Sequence, residues 1–475
     1  MSLPKPEGKQ IEVLDLAAKG HLVVLGTAGS GKTTLAIYRA MQLSRLDSDE
    51  RVLMITFNTT LVKYLDAIAG EELQNVDVRN YHKFARGFLA GRGKMPRRNG
   101  ILNGIEDGDN KKLILVREAL SNVVSRIGLI STFKRNENVF LEEINWIEKM
   151  GLETLEEYES TERIGRAGTR IIRENRKYFY AVYNEYKKIR SKQGYLYDWD
   201  DIATTVYKEL LIDDRKRMYK HIIIDEGQDL SPMMLKSLTL AIPEDGSLTF
   251  FGDVAQQIYG NRISWHDAGL SVDRKKIWRF DRNYRNSKEI ARLAIAVSKM
   301  PYFINEADLV EPIMPTASSP LPAIIRFDNE DKELEWMVKY AVRASERQTL
   351  VILVRDRETV NIIEEQVMDE GITPQILKGK MQVLNQNARI SIGTYHSAKG
   401  LEFDTVLMPF CSYDRLPSED RIEALESREE ALIEEIKLIY VAITRAKRGL
   451  IISFTGEMTE LLPECTDGLY EEREI

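Results

Sequence analysis

The chain has 475 residues, 43% apolar and 30% charged, and its 67 lysines and arginines against 74 aspartates and glutamates leave a net charge of −7. That composition describes a soluble globular protein of about three domains, and in an acidic body a nucleic-acid site has to be a local basic groove. Two cysteines, Cys411 and Cys465, exclude a disulfide framework or a four-cysteine zinc site and suit a reducing cytoplasm; the N-terminal MSLPKPEGKQ has no apolar leader, and no apolar run approaches the roughly 20 residues of a membrane span. In chain order, HLVVL (21–25), RVLMITF (51–57), HIIID (221–225) and LTFFGD (248–253) read as buried strands. So do AIIRF (323–327), TLVILV (349–354), ARISIG (388–393), DTVLMPF (404–410) and GLIISF (449–454). Short β-branched runs separated by helical patterns predict parallel sheets with crossover helices. The strands fall into two groups, before and after about residue 280. Residues 84–200 read as mainly helical, ALIEEIKLIYVAI (431–443) as a helix, and 301–322 as an irregular connection.

The first chemical signal is LGTAGSGKTT (25–34), which fits G-x-x-x-x-G-K-[ST] from Gly26 to Thr33. A strand precedes it and a helical pattern follows. Glycines at Gly26, Gly29 and Gly31 let backbone N–H groups fold around phosphates at a helix N-terminus, with Thr34 in its first turn. Lys32 would reach the β- and γ-phosphates, and the Thr33 hydroxyl would hold Mg²⁺. The implied cofactors are ATP and Mg²⁺. A second acid is then needed at the end of a neighbouring strand, and HIIIDEGQD (221–229) supplies it. Asp225 would hold the metal and Glu226 would deprotonate the attacking water. Simple hydrolysis leaves Gln228 and Asp229 unexplained. Further along, Gly252-Asp253 end a strand and Gln256 follows, placed to sense the γ-phosphate. Arg285 and Arg445 flank the second strand group, and planar guanidinium groups suit phosphate. They would reach one nucleotide only across a cleft between two domains.

These motifs, in this order over residues 10–448, are similar to those of superfamily 1 helicases of the UvrD/Rep/PcrA type. The resemblance rests on EGKQIEVLD with Gln10, MITFNTTLVKYL with Phe57 and Asn58, NYHKFA with His82, and YDWDDIA. It continues through DEGQD, GDVAQQIY with Tyr259, FDRNYRNS with Tyr284 and Arg285, GTYHSAKGLEF with His396 and Glu402, and YVAITRAKR. It implies that Gln10 and Tyr284 read or stack adenine and that Glu402 meets the ribose. It also implies that Gln256, Arg285 and Arg445 contact the γ-phosphate region, and that Gln228 and Asp229 link ATP state to the strand-binding motifs. Phe57, Asn58, His82, Tyr259, Arg262 and His396 would face nucleic acid, single-stranded DNA before RNA. Aromatic rings stack on any base while cations track the backbone. The expected fold is α/β. Residues 1–83 with 201–279 and residues 280–475 would form two RecA-like parallel-sheet domains, and 84–200 a basic helical insertion. A protein partner supplying a nuclease or loading function is a further expectation.

Three departures stand out. Asn261 occupies a position that usually carries a stacking aromatic, and Gly227 one that usually carries an aromatic or alanine. The family's large insertion before TxHxxKGLEF is absent or vestigial, because only 108 residues (286–393) separate Arg285 from Thr394. The insertion at 84–200 interleaves cations with Tyr178, Phe179, Tyr180, Tyr183 and Tyr186. Its tyrosines read better as core, and part of its cations as strand-facing. The expectation is an ATP-driven motor on single strands, travelling 3′ to 5′ by resemblance. The alternatives are a nucleic-acid-stimulated ATPase that senses or regulates within a repair or nuclease complex, and a P-loop ATPase that is no motor.

Overall fold

The computed structural model describes residues 5–6, 9–16, 18–27, 29–46, 49–56, 75–95, 100–102, 105–106, 109–163, 171–253, 270, 277–280, 286–303, 313–377, 388–465 and 468–475. Two parallel sheets organise the chain. The first has six strands in the order 277–280, 20–26, 247–252, 221–224, 52–55 and 76–79. The second has seven, in the order 375–376, 390–394, 350–354, 403–408, 446–455, 323–327 and 471–474. Every neighbouring pair in both sheets is parallel. The fold is therefore α/β with two RecA-like sheets, as the strand runs predict. The nine quoted runs all lie on strands, within a few residues at their ends.

Burial explains the continuous apolar runs. His21–Leu25 send alternate side chains to opposite faces. Val23 and Leu25 join Leu53, Ile222, Ile224 and Phe250 on one face. Leu22 and Val24 meet Leu35, Ile37 and Leu43 of the helix Lys32–Leu46 on the other. Helices on both faces leave no polar side for the strand to present. The second sheet repeats this arrangement, with helix Arg428–Ile443 on one face and helices Glu330–Ala344 and Arg357–Asp369 on the other. The described part of 286–393 contains only strands of this sheet, their helices and connections, with no inserted subdomain.

The segment between the first sheet's strands is helical, with helices Lys111–Ile127, Glu137–Met150, Leu155–Ser160 and Arg176–Lys192 around their own apolar core. Phe179, Tyr180, Tyr183 and Tyr186 are buried in it, and Tyr178 packs against it. Three cations of the basic stretch 163–192 also turn inward. Arg163 pairs with Glu143, Arg176 donates to the carbonyls of Glu159 and Thr161, and Arg190 pairs with Asp198 and Asp201. This corrects the expectation for these three, because burial in a low-dielectric interior demands a partner for each charge. Lys177, Lys188 and Lys192 of the same stretch remain exposed.

Arg190 belongs to a larger buried ionic cluster. The Lys112 ammonium lies 2.6 Å from Glu148, 2.9 Å from Asp198 and 3.3 Å from Asp200. The Tyr186 hydroxyl donates to Asp198 at 2.7 Å. Burial opposes ionisation of Asp198, yet Lys112 and Arg190 hold its carboxyl well below the usual range. The helical segment also touches the second sheet's unit. Arg421 donates to Glu142 at 2.6 Å, Asn136 to Glu423 at 3.0 Å, and Arg135 grips Glu426 through two nitrogens.

Candidate active site

Three strand ends of the first sheet converge at their carboxyl edge, the usual ligand side of an open parallel sheet. Strand Gly20–Gly26 opens into the glycine-rich loop, His221–Ile224 into Asp225, and Ser247–Gly252 into Asp253. The middle strand brings Asp253 between the other two ends. Gly29 and Gly31 sit at φ of 74° and 80°, the left-handed region that glycine enters without strain. A side chain at Gly31 would also meet Gln10, whose amide donates to the Ser30 carbonyl at 2.9 Å. Gln10 therefore rests against the loop. The Lys32 ammonium is buried and donates to the carbonyls of Gly26 and Thr27 at 2.8 and 2.7 Å, with Asp253 at 3.9 Å.

The Thr33 hydroxyl lies 3.2 Å from both carboxylate oxygens of Asp225, and Thr56 lies 3.4 Å from one of them. Hard oxygen donors from the loop helix and a strand end thus meet at one point, a donor set that fits Mg²⁺. Burial and the adjacent Glu226 charge push the Asp225 carboxyl up to about 7, so a cation has a ready place there. Burial works against ionising Glu226 as well. Lys399, Lys32, Arg445 and the Gln228 amide outweigh it and hold Glu226 below the usual glutamate range, ionised and able to accept a proton. Glu226 also adopts a φ of 54°, uncommon for a residue with a side chain.

Two of these cations come from the second sheet's unit. Lys399, in the turn after strand Ile390–Thr394, pairs with Asp229 across the cleft. Arg445, at the end of helix Arg428–Ile443, is buried. It donates to the Val441 carbonyl at 3.0 Å and the Thr444 hydroxyl at 3.2 Å, while its charge reaches Glu226. Asn286 donates to the carbonyls of Thr444 and Ala446, on either side of Arg445. Glu402 is exposed with Lys447 at 3.5 Å, and Thr34 lies partly open in the first turn of the loop helix.

The remaining expected contacts divide. His82 is half-buried, 4.7 Å ring to ring from Trp199 and bonded to its carbonyl. That packs the segment NYHKFA onto YDWDDIA. His396 is exposed, yet partial desolvation of its ring and the charges of Arg355, Lys399 and Arg421 hold its imidazole below the usual range. Phe57, Asn58, Gln256, Tyr259, Asn261, Arg262, Tyr284 and Arg285 lie outside the described residues. The sequence assigns no role to Lys399 within GTYHSAKGLEF, nor to Thr56 and Trp199, because their partners lie far away in the chain.

Residues 7–275 match the UvrD/REP helicase N-terminal domain, and residues 374–457 the UvrD-like helicase C-terminal domain. Over 91% of its length the chain is 23% identical to a probable DNA helicase of Mycoplasma pneumoniae, covering 80% of that protein. It is 22% identical over 92% of its length to DNA helicase IV of Escherichia coli, covering 66% of it. It is 23% identical over 92% to the ATP-dependent DNA helicase UvrD2 of Mycobacterium tuberculosis, covering 77% of it. A shorter stretch, 16% of the chain, is 37% identical to a probable DNA helicase II homolog of Rickettsia conorii and spans 12% of that protein.

Proposed function

The chain belongs to the UvrD/REP helicase family, and from that premise we propose that it is a motor that hydrolyses ATP to travel along single-stranded DNA, 3′ to 5′. The observation that carries this reading is the cross-cleft arrangement. Lys32, Thr33, Asp225 and Glu226 come from one sheet, and Lys399 and Arg445 reach the same acids from the other. An ATP held on the glycine-rich loop would lie against both sheets. Its hydrolysis would then change how the two units close on each other, and with them two grips on a strand.

Residues 1–83 with 201–279 form the loop-bearing unit in this reading, 280–475 the second, and 84–200 the insertion. Glu226 takes the proton of the attacking water. Lys32 and Arg445, with Gln256 and Arg285, neutralise charge on the transferred phosphate. Thr33 and Asp225 would hold Mg²⁺, which supplies further neutralisation of phosphate charge when bound. Gln10 and Tyr284 hold the adenine and Glu402 the ribose. Phe57, Asn58, His82, Tyr259, Arg262 and His396 line the strand path, and the cytoplasm is the setting. The test is an ATPase titration with single-stranded DNA, single-stranded RNA and duplex DNA at two salt concentrations, with and without Mg²⁺. Strong stimulation by single-stranded DNA that weakens steeply with salt is expected. Turnover indifferent to any strand would overturn the motor reading.

A second reading is favoured by one observation. The described part of 286–393 carries no inserted subdomain, and the helical insertion docks directly on the second unit. A chain built this way would translocate, yet separate long duplexes poorly unless a partner assists. Processive unwinding of several hundred base pairs by the isolated chain would exclude that reading.

A further inference from the structure

Gln228 lies between the two acidic strand ends of the ATP site. Its side chain is buried. The backbone N–H of Asp253 donates to its Oε1 at 3.0 Å, and its Nε2 donates to Glu226 Oε2 at 2.5 Å. Chemistry fixes the amide's orientation. A backbone N–H needs an acceptor, so the oxygen must face Asp253. That leaves the –NH₂ to face the carboxylate. A glutamate here would set a second negative charge against Glu226. An alanine would leave both partners unsatisfied.

The Phe250 ring lies beside the glycines that flank this amide. A Cβ on Gly227 would lie 2.2 Å from the Phe250 ring, and one on Gly252 would lie 2.6 Å from the ring and 3.1 Å from Gln228 Oε1. The ring from strand Ser247–Gly252 therefore fills the space beside the 227–229 turn that a side chain at 227 would need. This accounts for Gly227, one of the departures from the resembling motif, where an aromatic or alanine is usual. Glu226 meanwhile holds a left-handed φ of 54°. Such a conformation persists only where its surroundings over-determine it.

We propose that Gln228 is a positioning residue for the general base. It ties the Glu226 carboxylate to the end of the Asp253 strand, and Phe250, through Gly227 and Gly252, sets the height of that tie. The inference rests on Glu226 being the base. A base displaced by about 1 Å costs about 100-fold in rate without altering how substrate is held. Gln228 makes its bonds to Glu226 and to a backbone N–H. The nucleotide-facing groups Lys32, Thr33 and Asp225 keep their own bonds.

The experiment uses the full chain, with kcat and KM for ATP measured in saturating single-stranded DNA and binding of a fluorescent ATP analogue measured separately. Far-ultraviolet circular dichroism checks folding. Gln228→Ala is expected to lower kcat about 100-fold, with KM and analogue affinity unchanged. Gly227→Ala should lower kcat in the same way, and Gly227→Ala combined with Phe250→Leu should recover most of it by opening the space. In the Glu226→Gln background, Gln228→Ala should add nothing, because it acts through that carboxylate. Wild-type kcat in Gln228→Ala, with Glu226→Gln inactive, would overturn the brace and leave the base in place. Equal losses of kcat and analogue affinity would also overturn it, since they indicate binding. Near-normal turnover in Glu226→Gln would instead remove the base on which the inference stands.

Discussion

Two buried clusters of acids with cations among the described residues are built in opposite ways. In the helical insertion, Glu148, Asp198 and Asp201 meet Lys112 and Arg190, and every member comes from the insertion or the segment that closes it. In the candidate active site, Asp225, Glu226 and Asp229 come from one sheet, while Lys399 and Arg445 come from the other. The first cluster is closed when its region folds. The second is complete only when two units stand together, and its Lys32 donates to the Gly26 and Thr27 carbonyls with Asp253 at 3.9 Å. Similar residue types thus close one cluster within a single region and, in the proposed motor, would form a charge set that answers to phosphate in the other. The difference lies in which elements supply the partners, not in composition.

The same substitution in each cluster separates the two designs. Lys32→Met should abolish measurable ATP turnover and weaken nucleotide binding while leaving the melting temperature little changed. Arg445→Ala should slow turnover by about 10³-fold or more, in line with arginine fingers. Arg445→Lys should rescue it poorly, because a point charge cannot reproduce the planar fork. Lys112→Met should behave in reverse. It leaves Glu148 and Asp198 buried without their cation, and breaking a buried pair costs about 3–5 kcal/mol. Denaturant melts should show that loss, with kcat per folded molecule preserved. A stable Lys112→Met protein would make the insertion cluster as adaptable as the site and erase the contrast.

Proton linkage sharpens the comparison further. The Asp225 carboxyl is raised from an ordinary 3.8 to about 7 by burial and by Glu226. Such a group binds its proton more tightly in the folded state. Its contribution to stability is fully present below about pH 4 and is lost as pH rises through about 7. Asp225→Asn removes that loss. The variant's stability over wild type should therefore grow between pH 4 and pH 7 and then level off, on the order of a few kcal/mol. Mg²⁺ should stabilise wild type above pH 7 and leave Asp225→Asn unmoved. Parallel pH curves for the two proteins would mean that Asp225 is not held in this strained charge state.

Much of this was legible in the sequence, and the exceptions have physical causes. Buried parallel strands advertise themselves as apolar runs, so HIII and LVILV are evident. The strand Val76–Arg79 is half-buried at a sheet edge and alternates weakly, and Glu471–Glu474 is wholly exposed and charged. Each is held by backbone bonds to a neighbour, which leave no side-chain pattern. In the site, the glycine-rich loop, Asp225 and Glu226 follow from spacing alone. The tie from Gln228 to Asp253 joins residues 25 positions apart through an amide and an N–H, and no local pattern encodes it. Arg163, Arg176 and Arg190 read as a basic surface because a sequence shows charges without their partners.

A third set of ionic contacts lies between these extremes and gives the smallest expected effect. Arg135 grips Glu426, Asn136 donates to Glu423, and Arg421 is shared between Glu142 and Glu434. They join the insertion to the helix Glu419–Leu425 of the second unit. Arg135 also lies 5.5 Å from the Phe179 ring, which anchors its insertion side. Like the ATP-site charges, these partners come from different units. Unlike them, they are partly open to water, where each pair contributes about 0.2–1 kcal/mol and salt screens it. Arg135→Ala should therefore shift the melting temperature little. What it should change is how firmly the insertion stays on the second unit. Dyes placed on exposed Lys188 and Arg347 positions, each replaced by cysteine in a chain with Cys411 and Cys465 changed to serine, report that separation by energy transfer. The transfer distribution should broaden in Arg135→Ala, and more so in Arg135→Ala with Arg421→Ala. It should broaden in the wild-type arrangement as salt rises from about 0.05 to 0.5 M, as the shrinking screening length requires. An unchanged, narrow distribution in the double variant would show that apolar packing alone holds the insertion there, and that these charges belong with the static cluster.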